Sequence, residues 1–196
     1  MGLKLSVKIG DVTNLSDARY AAGMGVDYIG FNIDPSSENF VTAKTFEEIT
    51  KWISGVGIIG EIGNSLKFSK DDYPSFLFES SNPGNLKIEN EFVYRIDAKN
   101  IAFDMLEKSL KTEKNALFYV LEVTNKQLEE NVAGFTNLCN SFPIYVSTDF
   151  NEPLLEKVVN TIKPTGIEIK GGLEAQPGFK DYDGIADVLE WLEEDD

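Results

Sequence analysis

Seven short apolar runs in this chain finish on or beside a carboxylate. Asp11 follows the first, Asp34 the second, Glu61 the third and Glu79 the fourth; Asp97, Glu122 and Asp149 follow the next three. The eighth run leads into Lys170-Gly171-Gly172-Leu173-Glu174, where Lys170 is the one obvious cation among these ends. Acidic groups gathered in one place would form a negative mouth that focuses cations or amines. A carboxyl buried among them would be pushed toward its neutral form and so fitted to donate a proton. The competing reading is local: Asp34 before Pro35, Asp97 before Asn100 and Asp149 before Pro153 are placed to cap the next helices. Gly171-Gly172 has two readings as well, exposed N–H groups for a phosphate or a tight turn needing positive φ. Oxygen ligands without histidine suit Mg²⁺ or Ca²⁺ better than zinc. No spacing marks a specific metal site, so none is assigned, and no cofactor is implied.

These groups need a scaffold that brings strand ends together. Strands are predicted over Lys4–Ile9, Tyr28–Ile33, Gly57–Ile62, Ser75–Glu79, Phe92–Asp97, Leu117–Glu122, Ile144–Ser147 and Gly166–Ile169. They are short, rich in β-branched or aromatic residues, and apolar on both faces where strongest, as buried parallel strands are. Helices are expected at Leu15–Met24 behind an Asn14 cap, from Thr45 (a Thr-x-x-Glu capping box) toward Ile53, and over Ile101–Leu110, Lys126–Leu138, Pro153–Ile162 and Gly184–Leu192. Eight β-then-α units imply a closed eightfold β/α (TIM) barrel whose working groups lie at the C-terminal ends of the strands. Between Asn64 and Glu91 the gaps are short and rich in Ser, Asn, Pro and Gly, so the third and fourth helices should be shortened. Residues 1–196 read as a single domain, with a frayed acidic tail at Glu193–Asp196.

Composition narrows the functions. Eighteen basic against 33 acidic residues give a net charge of −15. That argues against a nucleic-acid binder or a ligand of anionic membrane surfaces, since nothing would neutralise phosphates. The chain has no histidine, which removes the usual neutral-pH proton shuttle. Cys139 is its one cysteine and reads as a small buried hydrophobe. No apolar run reaches the roughly 18 residues of a membrane span. No signal peptide is visible, which makes the cytoplasm the expected location.

The two ends of the chain carry a family pattern. Lys8-Ile9-Gly10-Asp11-Val12-Thr13, Asp17-Ala18 and Gly25-Val26-Asp27-Tyr28-Ile29-Gly30-Phe31 stand at the start. Gly166-Ile167-Glu168-Ile169-Lys170-Gly171-Gly172-Leu173-Glu174 and Pro177-Gly178-Phe179-Lys180-Asp181 stand at the close. Together they resemble the first and last units of phosphoribosylanthranilate isomerase, a barrel enzyme of tryptophan biosynthesis that performs an Amadori rearrangement. The resemblance implies a small-molecule ligand, with phosphorylated compounds among the candidates, and a monomer or homodimer. Its ligand-binding set would be Lys8, Asn32, Lys170, Gly171, Gly172 and Glu174, with Glu174 equally suited to an architectural role.

The chemistry departs from that pattern. The family's cysteine general base falls on Gly10, so Asp11 is the nearest replacement base. The general-acid aspartate of the sixth strand falls on Glu122. The arginine that holds the substrate carboxylate falls on Asn39, and a neutral amide cannot form a bidentate ion pair. The seventh phosphate loop reads Ser147-Thr148-Asp149-Phe150, where Asp149 would repel a phosphate. These replacements imply that the ancestral activity is lost or very weak. Two alternatives stay open: an active isomerase using Asp11 and Glu122, and a different barrel enzyme acting on a cationic or metal-bound ligand.

Overall fold

The computed structural model describes residues 2–64, 70–74, 77–82, 84, 91–113, 115–171, 174–176, 179–180 and 183–194. Eight parallel strands close into a barrel in sequence order: β1 Ser6–Gly10, β2 Tyr28–Asn32, β3 Gly57–Glu61, β4 Leu77–Ser80, β5 Phe92–Asp97, β6 Ala116–Glu122, β7 Ile144–Ser147 and β8 Gly166–Lys170. Closure is direct, since β8 pairs with β1 from Ser6↔Gly166 to Gly10↔Lys170. A short antiparallel pair comes next, β9 Glu174–Gln176 and β10 Phe179–Lys180, which the apolar pattern does not foretell.

Helices succeed strands where caps permit. Asn14 opens α1 (Leu15–Gly23), its side chain accepting from the Asp17 N–H. The second helix begins earlier than its sequence signal. Thr42 caps α2 (Ala43–Thr50) by accepting from the Thr45 N–H, so the Thr45 capping box is not used. Later come α3 (Phe103–Thr112), α4 (Asn125–Glu130), α5 (Val132–Ser141), α6 (Glu152–Lys157) and α7 (Asp183–Leu192). Thr124 and Gln127 form a reciprocal capping box at α4. The single helix expected over Lys126–Leu138 is two, because Asn131 leaves helical geometry at φ −134 and ψ 40. Pro153 lies in the first turn of α6, which runs into one π-helical stretch, Val158–Ile162. Between β3 and β4 the described residues hold one 3₁₀ turn, Lys70–Asp72, in place of a third helix. The expectation of a shortened fourth helix concerns a stretch in which residues 83 and 85–90 lie outside the described residues.

Two cores result. The larger lies between barrel and helices and includes Val7, Ile9, Ile29, Phe31, Phe46, Leu121 and Ile167. The smaller fills the barrel with Ile59, Leu77, Val93, Phe118, Val120 and Tyr145. Phe118 stacks on Tyr145 with ring centroids 4.3 Å apart. This inner core plugs the N-terminal half of the barrel, so chemistry is confined to the opposite end. Strand parity decides which residues go inward. In β1, Val7 and Ile9 join the outer core while Lys8 is left to face the axis. In β8, Ile167 and Ile169 do the same for Glu168.

Candidate functional site

Above the apolar plug lies a layer of buried charge. Lys8 is completely buried, and its Nζ contacts Glu61 Oε1 at 2.5 Å, Glu79 Oε2 at 2.9 Å and also Glu168 Oε1. Arg95 enters from β5: its Nε donates to Glu79 Oε1 at 2.5 Å, and its Nη2 donates to Glu168 Oε1. Three carboxylates therefore share two cations, leaving one surplus negative charge inside the barrel. Burial alone would lower the Lys8 pKa, but Glu168, Glu61 and Glu79 outweigh it and raise it. Burial alone would raise the Glu168 pKa, but Arg95 and Lys8 hold it far below the usual range. Glu61 takes up the imbalance. Burial, opposed by Lys8 but aided by Glu79, Asp11 and Glu168, pushes its pKa to about 7.

Glycines make room for this layer. A Cβ at Gly10 would stand 2.8 Å from Glu168 Oε1 and 2.9 Å from Glu61 Oε1. At Gly30 it would stand 2.1 Å from Glu61 Oε1. The Glu61 carboxylate thus lies across two bare backbone positions, and the first is where the resemblance expects a thiol.

Asp11 sits at the rim with φ 54, and its N–H donates to Glu61 Oε2 at 3.0 Å. Its carboxylate accepts from Asn32 Nδ2 at 3.3 Å, while Asn32 Oδ1 accepts from the Asp34 N–H at 3.2 Å. Across the mouth, Glu122 Oε1 accepts from Lys99 Nζ at 2.6 Å and Lys170 Nζ at 2.8 Å. Its Oε2 accepts from Arg95 Nη1 at 3.3 Å. Burial would raise the Glu122 pKa, but the hydrogen bonds from Lys170 and Lys99 lower it to about 2. Between β6, β7, β8 and α7 a cavity of about 330 Å³ opens to this pair of lysines. Its lining combines the polar Lys99, Glu122, Thr148, Asp149 and Lys170 with the apolar Val123, Phe150, Ile185 and Val188.

Several expectations change. Lys8 does not reach the mouth, because three carboxylates hold it in the barrel. Lys170 is at the mouth but is joined there by Lys99 and Arg95, so cations as well as acids stand at the mouth. The Gly171 N–H donates to the Gly10 carbonyl at 2.6 Å, which removes it from any phosphate cradle. Gly172 and the Glu174 side chain lie outside the described residues. Asp34 and Asp97 make local turns, accepting from the N–H groups of Ser36 and Lys99, and Asn151 rather than Asp149 caps α6. Cys139 is half-buried, and burial pushes its thiol to about 12, in line with an inert packing role. Reading strand ends misses Arg95, Lys99 and Glu168. Alternation within β5 and β8 would have placed Arg95 and Glu168 on the barrel axis.

Glu61, Glu79 and Glu168 bring ligand oxygens within 4.8 Å of one another, the spacing of a cation site. The Lys8 ammonium contacts all three and stands in the place a metal would take. No described helix is long and apolar enough to cross a membrane.

A closed eightfold β/α barrel with charged groups at the C-terminal strand ends defines the class: a TIM-barrel protein with an enzyme-like mouth. No family model matches the chain. It is 24% identical over 204 residues to the N-(5'-phosphoribosyl)anthranilate isomerase of Chlorobium phaeovibrioides, covering 93% of this chain and 94% of that one. It is 27% identical over 202 residues to the enzyme of the same name from Sulfurihydrogenibium, covering 94% and 97%. The crystal structure of phosphoribosyl anthranilate isomerase from Thermus thermophilus superposes with a TM-score of 0.73 at 15% identity, over 96% of this chain and 98% of that one. The chain is thus similar in sequence and fold to phosphoribosylanthranilate isomerases over more than nine-tenths of its length.

Proposed function

We propose that this protein is an isomerase-like barrel that does not carry out the Amadori rearrangement and works through small-molecule binding at its mouth. The observation that carries this reading is the state of Glu122. An acid catalyst must hold a proton at the working pH. Three cations grip Glu122 and hold its pKa at about 2, so the proton is absent at neutral pH. The missing thiol at Gly10 and the neutral Asn39 support the same reading. So does the Gly171 N–H, which is spent on Gly10. The alternative of Asp11 as base and Glu122 as acid needs the second group in the protonation state its neighbours oppose. A metal-dependent enzyme finds the centre of the buried acidic trio already occupied by the Lys8 ammonium.

Freshly made phosphoribosylanthranilate provides the test, monitored by the loss of anthranilate-type fluorescence. No turnover above buffer is expected. Turnover that Asp11→Asn or Glu122→Gln abolishes would sink the proposal. Gly10→Cys, which returns the family residue type to its position, should not create activity. The added side chain meets clamped carboxylates at 2.8 and 2.9 Å. Overpacking of this kind should cost about 1–3 kcal/mol of stability, read from urea unfolding.

A further inference from the structure

We infer that the groove between α6 and α7, on the outer face of the barrel, is a docking surface for a basic amphipathic segment of another protein. Apolar side chains of that segment lie on Leu155 and Val188, and its Lys or Arg groups meet Glu152, Asp187 and Glu190. Docking here needs no ligand at the mouth and no catalysis.

Helix periodicity builds the groove. Residues three and four apart share one face of a helix. On α6 that spacing groups Glu152 with Leu155; on α7 it groups Asp187, Glu190 and Trp191. With Phe150 and Val188 they line a cavity of about 600 Å³, larger than the one at the mouth. The floor is apolar, since Leu155 is 1% exposed and Val188 7%. The rim is charged, since Glu152, Asp187 and Glu190 are all exposed. Trp191 marks one end, and the protein seats one of its own cations there: Lys4 Nζ lies 4.5 Å from the centre of the Trp191 ring.

The charge in the groove is of one sign. Every ionisable side chain that lines it is a carboxylate. Among the described residues, no lysine or arginine forms an ion pair with any of the three. Three carboxylates against Lys4 leave two negative charges uncompensated. The same field reaches α1, where burial, then Glu190 and Glu193, push the Tyr20 phenol above its ordinary pKa.

An apolar floor inside an acidic rim selects its occupant. A nucleic acid or an anionic membrane surface would meet like charge. A second copy would bring another chain with a net charge of −15. A bare metal ion would leave the apolar floor uncovered. A basic amphipathic segment satisfies both parts. Its apolar face covers Leu155 and Val188, as in helix-in-groove recognition. Its Lys and Arg stems lie over apolar surface while their heads reach the carboxylates. One groove of this size supports a transient complex rather than an obligate one.

Trp52→Phe leaves Trp191 as the one tryptophan and so as a fluorescent reporter in the groove. Trp52 is 71% exposed, so the change should leave the fold intact. Three synthetic peptides without tryptophan serve as probes: an amphipathic Leu/Lys helix, its counterpart with Glu for Lys, and one of equal charge with Ser for Leu. Titration at low ionic strength should show the Leu/Lys peptide binding at least tenfold tighter than the other two and moving Trp191 emission to shorter wavelength. Glu152→Lys, Asp187→Lys and Glu190→Lys together should weaken that peptide at least tenfold. Glu48→Lys, Asp104→Lys and Glu129→Lys, an equal change of charge at exposed positions elsewhere, should weaken it less than threefold. Urea unfolding verifies that both triple variants are folded, and the peptide comparison on Trp52→Phe stands without them. Four results would overturn the inference: no binding of the Leu/Lys peptide, equal binding of the Ser/Lys peptide, equal losses in the two triple variants, or unchanged Trp191 emission. Hexylamine binding as tightly as the Leu/Lys peptide would also overturn it, by assigning the groove to a small amine.

Discussion

Lys8→Met should unfold this protein more readily than any surface substitution, with a loss of about 3–5 kcal/mol at pH 8. Met matches the length of the lysine stem but takes away the ammonium that Glu61, Glu79 and Glu168 share. Arg95 then remains as the one cation touching that buried acidic trio among the described residues. Breaking a buried ion network by deleting one partner costs more than the network itself contributes, because the remaining charges stay desolvated. Part of the loss should return at pH 5, where the orphaned carboxylates can take up protons. Urea midpoints of wild type and variant at both pH values measure this. A Lys8→Met midpoint within error of wild type at pH 8 would show that the barrel layer is not the coupled network described above.

The second large effect is an inverted pH profile. Glu61 has its pKa raised from 4.5 to about 7, so between those values the folded chain binds a proton that the unfolded chain releases. Stability from this group is complete below about pH 4.5 and is lost as pH rises through about 7. A shift of this size corresponds to a loss on the order of 3 kcal/mol. Glu122 works in the opposite sense. Its pKa is lowered to about 2, so its contribution is present above about pH 4.5 and disappears as pH falls toward 2. Stability should therefore peak near pH 5 and decline toward pH 8. The absence of histidine makes the window clean, since no other side chain with an ordinary pKa titrates there. Urea unfolding at half-unit steps from pH 4 to 8 gives the profile. A midpoint that stays flat or climbs between pH 5 and 8 would refute the buried surplus charge.

The site is partly legible in the sequence. Strand-end reasoning expects Glu122, Lys170, Asp11 and Asn32 at the mouth, and all four stand at or near its rim. Their placement comes from being at the ends of strands, a property of local pattern. The family resemblance misplaces Lys8 at the ligand, because its neighbours in sequence, Val7 and Ile9, indicate a buried strand without indicating what fills the barrel axis. Strand-end reasoning passes over Arg95 and Glu168 although they alternate with apolar residues in the same way. These two partners lie 73 residues apart, in strands that join one cluster only when the sheet closes. Glu61 and Glu79 read as strand-end acids suited to attract cations. In the folded chain both contact a cation from the first strand inside the barrel.

Local chemistry along the chain determines the barrel class, the approximate strands and most helix starts, because apolar alternation and capping act over a few residues. It also determines that Gly10 can supply no base and Asn39 no cation, because a residue's identity limits its reactions in any fold. Closure of the sheet decides the remainder. It sets which inward charges meet, which of them lacks a counter-charge, and which lysines stay within reach of solvent. Those outcomes depend on distances between strands far apart in sequence and on the low dielectric they enclose, and neither exists until the eighth strand pairs with the first.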